Sequence, residues 1–113
     1  MPLSGNNISG NINILSGTFS GGNNAIASGE YSFAYGSNVY ATGYSSHAEG
    51  NNTSATASMS HAEGEKTTAS GRNSHAEGER TFAYGIGAHA EGFLTYATEL
   101  AAHAEGNQTS ALS

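Results

Sequence analysis

Cysteine, tryptophan and aspartate are absent from this 113-residue chain, and proline occurs only once. Without cysteine the chain can hold neither a disulfide framework nor a thiolate metal site. Without aspartate it cannot form the glycine-rich calcium-binding repeats, whose loops need that side chain. Covalent cross-links and repeat-bound calcium are therefore excluded as the basis of the fold.

Basic residues are scarce as well. Lys66, Arg72 and Arg80 stand against nine glutamates, and the net charge is -6. A nucleic-acid partner would need a basic stripe to neutralise phosphates, and three scattered cations do not form one. We expect no nucleic acid among the partners.

Apolar residues make up only 36% of the chain, and no run approaches the length that spans a bilayer. The segment is therefore not expected to be membrane-embedded. Met1 to Gly17 has no basic start and no apolar centre, so we predict no signal peptide. If the protein is external, the sequence predicts a fragment, or a protein that leaves the cell by another route such as assembly into a virion.

A strict repeat takes the place of an ordinary apolar core. His-Ala-Glu-Gly recurs every fourteen residues, at residues 47–50, 61–64, 75–78, 89–92 and 103–106. A period without insertions indicates a solenoid in which equivalent residues stack in rows, whereas disorder needs no period. We predict one solenoid domain over residues 18–113, preceded by a cap or degenerate coil over residues 1–17.

Glycine spacing and alternation define the coil. Two glycine series, each with a period of fourteen, alternate seven residues apart from Gly22, and Ala57 and Glu99 interrupt the second series. This spacing predicts two short strands per coil, each followed by a tight turn that needs a permissive backbone. Small residues should fill the inside of the coils, where threonine hydroxyls are expected to hydrogen-bond from one coil to the next.

Four rows of small residues should therefore point inward. The first strand contributes Ser32, Ser46, Ser60, Ser74, Ala88 and Ala102, and also Ala34, Ala48, Ala62, Ala76, Ala90 and Ala104. The second strand contributes Thr53, Thr67, Thr81, Thr95 and Thr109, and also Ala41, Ala55, Ala69, Ala83, Ala97 and Ala111.

The pattern Ser-x-Ala-x-Gly, two residues, then Thr/Ala-x-Ala-x-Gly resembles the head repeat of trimeric autotransporter adhesins, the YadA-like head, over about residues 18–113. The resemblance implies an all-β, left-handed parallel β-roll, a homotrimer about a threefold axis, and a surface-exposed role in attachment. The His-Ala-Glu-Gly version is also similar to repeats in phage and prophage tail or appendage proteins. We therefore expect an adhesive or structural fibre segment at the bacterial cell surface or on a virion; the alternative is a phage fibre spacer.

In adhesin heads the two x positions of Ser-x-Ala-x-Gly are usually aliphatic and pack the trimer core. Here Phe19, Phe33 and Tyr35 keep an apolar version, and later coils replace it with a polar one, so matrix-protein binding by aliphatic heads cannot be transferred. The resemblance places at the trimer axis a polar core of His47, Glu49, His61, Glu63, His75, Glu77, His89, Glu91, His103 and Glu105. Buried carboxylates need partners, and imidazole is the obvious one.

Ionic pairing of these rows would raise the histidine pKa and lower the glutamate pKa, giving greatest stability at mildly acidic pH. A lesser alternative is a metal ion held by three imidazoles around the axis, with glutamate in support. Five equal copies without a distinct nucleophile argue against an enzyme. We expect no catalytic residue, cofactor or resident metal.

The outward strand positions are mostly small or polar, but they become aromatic toward the C-terminus. Exposed apolar clusters usually mark a contact surface. We predict that this patch packs against a neighbouring chain or the next domain, or binds a host-surface or matrix receptor; its residues are Phe82, Tyr84, Phe93, Leu94 and Tyr96.

Overall fold

In a computed structural model, residues 17–112 are described, and they form a parallel β-solenoid of seven coils without a helix among them. The strands are β1 (Phe19–Ala27), β2 (Phe33–Ala41), β3 (His47–Ala55), β4 (His61–Glu65), β5 (Thr68–Ala69), β6 (His75–Ala83), β7 (His89–Ala97), β8 (His103–Asn107) and β9 (Ser110–Ala111). The first strand begins at Phe19, one residue after the start predicted for the solenoid domain. The cap predicted for residues 1–17 lies, apart from Gly17, outside the described residues.

All the strands belong to one sheet and pair in parallel, in the order β1-β2-β3-β4-β6-β7-β8; β5 pairs with β3 and β6, and β9 with β7. Every paired residue meets the residue fourteen positions further along, as Phe33 meets His47 and His47 meets His61. The fourteen-residue register and the all-β parallel solenoid predicted from the sequence are thus confirmed. The register also holds across residues 96–105, whose composition favours a helix, because His89 still pairs with His103.

The coil differs in detail from the predicted pair of short strands. Most coils contain one nine-residue strand that bends near its middle, and two coils divide into a longer and a shorter strand. The bend in β3 is made by Gly50, at a φ of 123°, and Asn52, at a φ of 59°. Glycine fits this first position because its φ lies where side chains are strained.

The second glycine series has a different cause from the predicted one. Gly43 does not have a positive φ; instead, a Cβ on it would come within 2.0 Å of the Ala57 carbonyl oxygen of the next coil. The residue of that turn with a left-handed backbone conformation is Ser45, two positions later. The equivalent residues of other coils, such as Met59 and Ala101, also have a positive φ. Close stacking of successive backbones, not turn conformation, therefore favours glycine at this position, although the same row contains Ala57.

The inside of the solenoid contains the predicted small-residue rows. The alanine and threonine rows are fully buried in the middle coils, and Val39 occupies the threonine row one coil earlier. The prediction that threonine hydroxyls bond along the ladder is wrong: the Oγ1 atoms of Thr53, Thr67, Thr81 and Thr95 are buried and have no partner among the described residues.

Candidate functional site

A continuous stack of seven rings runs along one face of the solenoid. Because the register is fourteen, equivalent side chains lie one above another at the spacing of neighbouring strands, about 4.8 Å. Ring centroids are 5.0 Å apart for Phe19 and Phe33, and 4.6 Å apart for Phe33 and His47. The five imidazoles follow at 4.5 to 4.9 Å, with interplanar angles of 8° to 28°. We call the histidines of this row and the glutamates beside them the His–Glu ladder.

The glutamates form a second row on the same face, because residues two apart on a strand point the same way. Glu49, Glu63, Glu77, Glu91 and Glu105 are in register, and the row begins with Gly21 and Tyr35. The structure therefore brings together on one face every residue predicted for the polar core, together with Phe19, Phe33 and Tyr35. Whether that face lies on a threefold axis stays a prediction.

Each imidazole Nε2 faces one or two carboxylates. The distance from Nε2 to a carboxylate oxygen is 3.4 Å for His47–Glu49 and 3.8 Å for His61–Glu63. Glu63 also approaches His75 of the next coil, at 3.8 Å. These separations exceed the usual 2.7 to 3.2 Å of an N–H···O hydrogen bond. The Nε2 atoms of His47, His61, His75 and His89 are accordingly buried without a hydrogen-bond partner in residues 17–112.

The pKa of His61 shifts in the direction opposite to the one that ionic pairing would give. Burial lowers the pKa of His61, and the neighbouring His47 and His75 lower it further. Glu63 and Glu49 oppose this shift but do not reverse it. An imidazole between two others would place like charges in contact if all were protonated, so the stack favours the neutral form of His61. The expectation of a raised pKa is therefore wrong for His61.

The ladder is partly open to solvent in the single chain. Histidine and glutamate side chains in its middle are about one-third exposed, between 33% and 37% for His61 to Glu91, and those of His103 and Glu105 are 55% and 65% exposed. A face of this kind, flat and chemically uniform over five coils, can pair with a copy of itself or hold cations. It offers no recess for a substrate, and residues 17–112 enclose no pocket.

The aromatic patch predicted near the C-terminus is partly brought together. The rings of Phe82 and Tyr96 stack at 5.0 Å, and Phe82 and Tyr84 lie 5.9 Å apart. Burial raises the pKa of the Tyr84 hydroxyl, and the nearby Tyr96 adds to the shift. Phe93 and Leu94 lie at the bend of the strand that carries Tyr96, and Leu94 has a φ of 55°.

Sequence reasoning missed two contacts in the first coils. Asn24 Nδ2 donates hydrogen bonds to Asn38 Oδ1 at 2.8 Å and to Tyr40 Oη at 3.1 Å. Tyr31 and Tyr44 form an edge-to-face pair with centroids 5.6 Å apart, and both are about half exposed. The spacing of fourteen between Asn24 and Asn38 was the signal for the first contact.

No helix within residues 17–112 is long and apolar enough to cross a membrane. Among curated proteins, no sequence matches this chain. Residues 22–38 and 62–90 match the YadA head domain repeat, as two copies. The matched segments lie in β1 to β2 and in β4 to β7, and the coils between and after them keep the same register. Residues 22–38 and 62–90 are therefore similar to YadA head repeats, and the described residues around them stack in the same fourteen-residue turns of the parallel β-solenoid.

Proposed function

We propose that this chain is the head or shaft segment of a homotrimeric surface fibre, in which the His–Glu ladders of three chains face one another. The supporting observation is the ladder itself, a face of five rungs in register whose middle side chains are about one-third exposed. The YadA family forms trimers at the cell surface, which supports the same assembly. It is a structural family, so we infer attachment without catalysis.

Trimer formation would bury the side of the ladder that is open to solvent in the single chain. Histidine and glutamate side chains of neighbouring chains would cover the open side of the ladder, where the side chains are now one-third exposed. Phe19, Phe33 and Tyr35 would form an apolar start to the same interface. A polar interface of this kind need not be more stable than an aliphatic one. It keeps the unassembled chain free of a large exposed apolar patch.

Solution mass tests the assembly. We expect light scattering to give about three times the 11.4 kDa of the single chain. His61→Lys would place three ammonium groups together at the axis and should give monomers. Thr68→Lys is the matched control, because Thr68 is half-buried in the other half of the same coil and outside the ladder; this variant should remain trimeric.

Two results would contradict the axial placement. One is a wild-type chain that stays monomeric. The other is a Thr68→Lys variant that dissociates while His61→Lys stays trimeric, which would place the opposite half of the coil at the axis.

We propose further that the aromatic patch contacts a host-surface or matrix receptor. Phe82 and Tyr96 lie in a strand position that Ser54, Thr68 and Ser110 occupy in other coils. Phe82→Thr with Tyr96→Ser therefore restores the residues native to that row. We expect beads coated with this variant to adhere less than wild-type beads to a panel of host-cell and matrix surfaces. Equal adhesion of the two, or none by either, would favour a fibre spacer, as in the phage alternative.

A further inference from the structure

Nitrogen and oxygen donors lie together at four places on the His–Glu ladder. Each place brings three side chains within reach of one ion, with donor atoms no more than 4.8 Å from one another. The four sets are His47, Glu49 and His61; His61, Glu63 and His75; Glu77, His89 and Glu91; and Glu91, His103 and Glu105. Imidazole and carboxylate are ligands that zinc and similar divalent ions accept.

The separations suit a shared ion better than a hydrogen bond. Two ligands at about 2.1 Å from a tetrahedral Zn²⁺ lie about 3.4 Å apart. The Nε2 atoms of His61 and His75 each lie 3.8 Å from an oxygen of Glu63, one on each side of that carboxylate. An N–H···O bond would need a contact several tenths of an ångström shorter. A small rotation of these side chains around an ion would close the remaining difference.

The imidazoles also turn toward the carboxylate the nitrogen that would coordinate an ion. A histidine ligand must be neutral and must present an unoccupied nitrogen. Nε2 of His61 and Nε2 of His75 are buried, have no hydrogen-bond partner among the described residues, and face Glu63. Five glutamates along the ladder supply the negative charge that a divalent cation requires.

We propose that the His–Glu ladder binds zinc-class divalent cations within a single chain, with His61, Glu63 and His75 as the central site. Neighbouring sets compete, because the first two share His61 and the last two share Glu91. At most one set of each pair can be filled without a shared ligand, so four sets give two ions per chain. The inference goes beyond the proposed assembly, because every donor of a site belongs to one chain.

The wild-type chain tests the stoichiometry first. We expect calorimetric titration with Zn²⁺ to saturate at two ions per chain, and Co²⁺ to give the absorption bands of tetrahedral coordination. His61→Phe removes both sets that share His61, so its stoichiometry should fall to one. Phenylalanine is suitable at this position because Phe33 already stacks on His47 in the same row. Absence of saturable binding in the wild type would overturn the proposal.

A variant with only two ladder histidines, called the reduced chain below, distinguishes this site from rings of three imidazoles shared by three chains. His47→Phe, His89→Phe and His103→Phe together leave only the central set, which should bind one ion per chain. Two ions per three chains would overturn the proposal, because that ratio corresponds to one ion in each of two rings. Light scattering on the same samples reports assembly separately from ion binding.

Replacement of the Glu63 carboxylate tests whether that side chain is a ligand of the ion. In the reduced chain, Glu63→Gln should weaken Zn²⁺ binding at least about tenfold, since a ligand is lost. Glu65→Gln removes an equal charge from an exposed residue outside the ladder and should leave binding unchanged. Equal affinities of the two variants would overturn the assignment of Glu63 as a ligand.

Discussion

The first two coils of the solenoid and the five that follow differ on the ladder face, although the second coil already has the interior of the later ones. Ala34 and Ala41 are buried in the second coil as Ala48 and Ala55 are in the third. On the ladder face, however, phenylalanine changes to histidine and tyrosine to glutamate, without a break in register. The ring stack passes through the change at 4.6 Å, a spacing like that of its neighbours. The stack depends on flat rings repeated at the strand spacing, so the polarity of the face can change while the fold does not.

The glycine row tests whether the two regions share one scaffold. A Cβ on Gly36 or on Gly64 would lie 2.0 Å from a carbonyl oxygen of the next coil, and both residues have a φ above 110°. We expect Gly36→Ala and Gly64→Ala each to lower the free energy of unfolding by at least about 3 kcal/mol, measured by urea denaturation. The control is Gly87→Ala, which should cost about 1 kcal/mol because open space surrounds that position. A small loss for only one of the row glycines would show that the scaffolds differ.

In the threonine row, the residue of one region can be substituted into the other. Val39 is fully buried where later coils have threonines whose hydroxyls lack partners. We expect Thr67→Val to raise the free energy of unfolding by about 1 kcal/mol, because it removes an unpaired buried hydroxyl. The reverse change, Val39→Thr, should lower it by a similar amount. If Thr67→Val destabilises the protein in the same denaturation assay, the hydroxyl has a partner that the static contacts do not reveal.

The bend of the strand differs in composition between the regions. Asn24 and Asn38 occupy the left-handed position in the first two coils, and Asn52 occupies it in the third. Leu94 occupies it in the sixth coil, at a φ of 55°. Asparagine tolerates this conformation better than leucine does. Leu94→Asn should therefore stabilise the protein by about 0.5 kcal/mol in thermal or chemical denaturation. Asn52→Leu is the reverse control and should destabilise it; a gain from both changes would show that side-chain packing, not backbone conformation, dominates.

The smallest effect is expected from pH, because His61 is only half-buried and solvent screens its charge. Its pKa is lowered in the folded chain, so below about 6.5 the unfolded chain binds more protons than the folded one. With chelator present, stability should fall as pH falls from 7.5 to 5.5. The groups facing His61 are His47, His75, Glu63 and Glu49.

In His61→Phe, which resembles the early coils, the fall with acid should be smaller. Thermal unfolding at a series of pH values measures both chains. A midpoint that rises on acidification would restore ionic pairing as the basis of the ladder.

Much of the architecture could be predicted from residues alone. The period of fourteen determines which side chains stack, so the inner rows and the ladder face could be assigned before any coordinates were known. The approach of Glu63 to His75, as well as to its own His61, could not be predicted, since it depends on side-chain rotamers in two coils. The edge-to-face contact of Tyr31 with Tyr44 was missed because thirteen residues, not fourteen, separate them.

Three errors have a common physical source. The pattern showed which residue types recur, but not the distances between their polar atoms. Threonine hydroxyls were expected to hydrogen-bond between coils, and the glycines of the second series to be required by turn conformation. The pKa of His61 was expected to be raised. Each outcome depends on how close adjacent backbones and rings come, which the local sequence does not encode.

The fold class, the register, the small-residue interior and the face that carries histidine and glutamate follow from the repeat, because a strict period leaves one alignment of the coils. Packing in three dimensions brings the second glycine series against the next backbone and leaves the threonine hydroxyls unpaired among the described residues. It also stacks the imidazoles with Nε2 toward glutamate, at 3.4 to 3.9 Å. The reason is that periodicity specifies neighbours, whereas three-dimensional packing specifies the distances and hence the hydrogen bonds, charges and ligand sites.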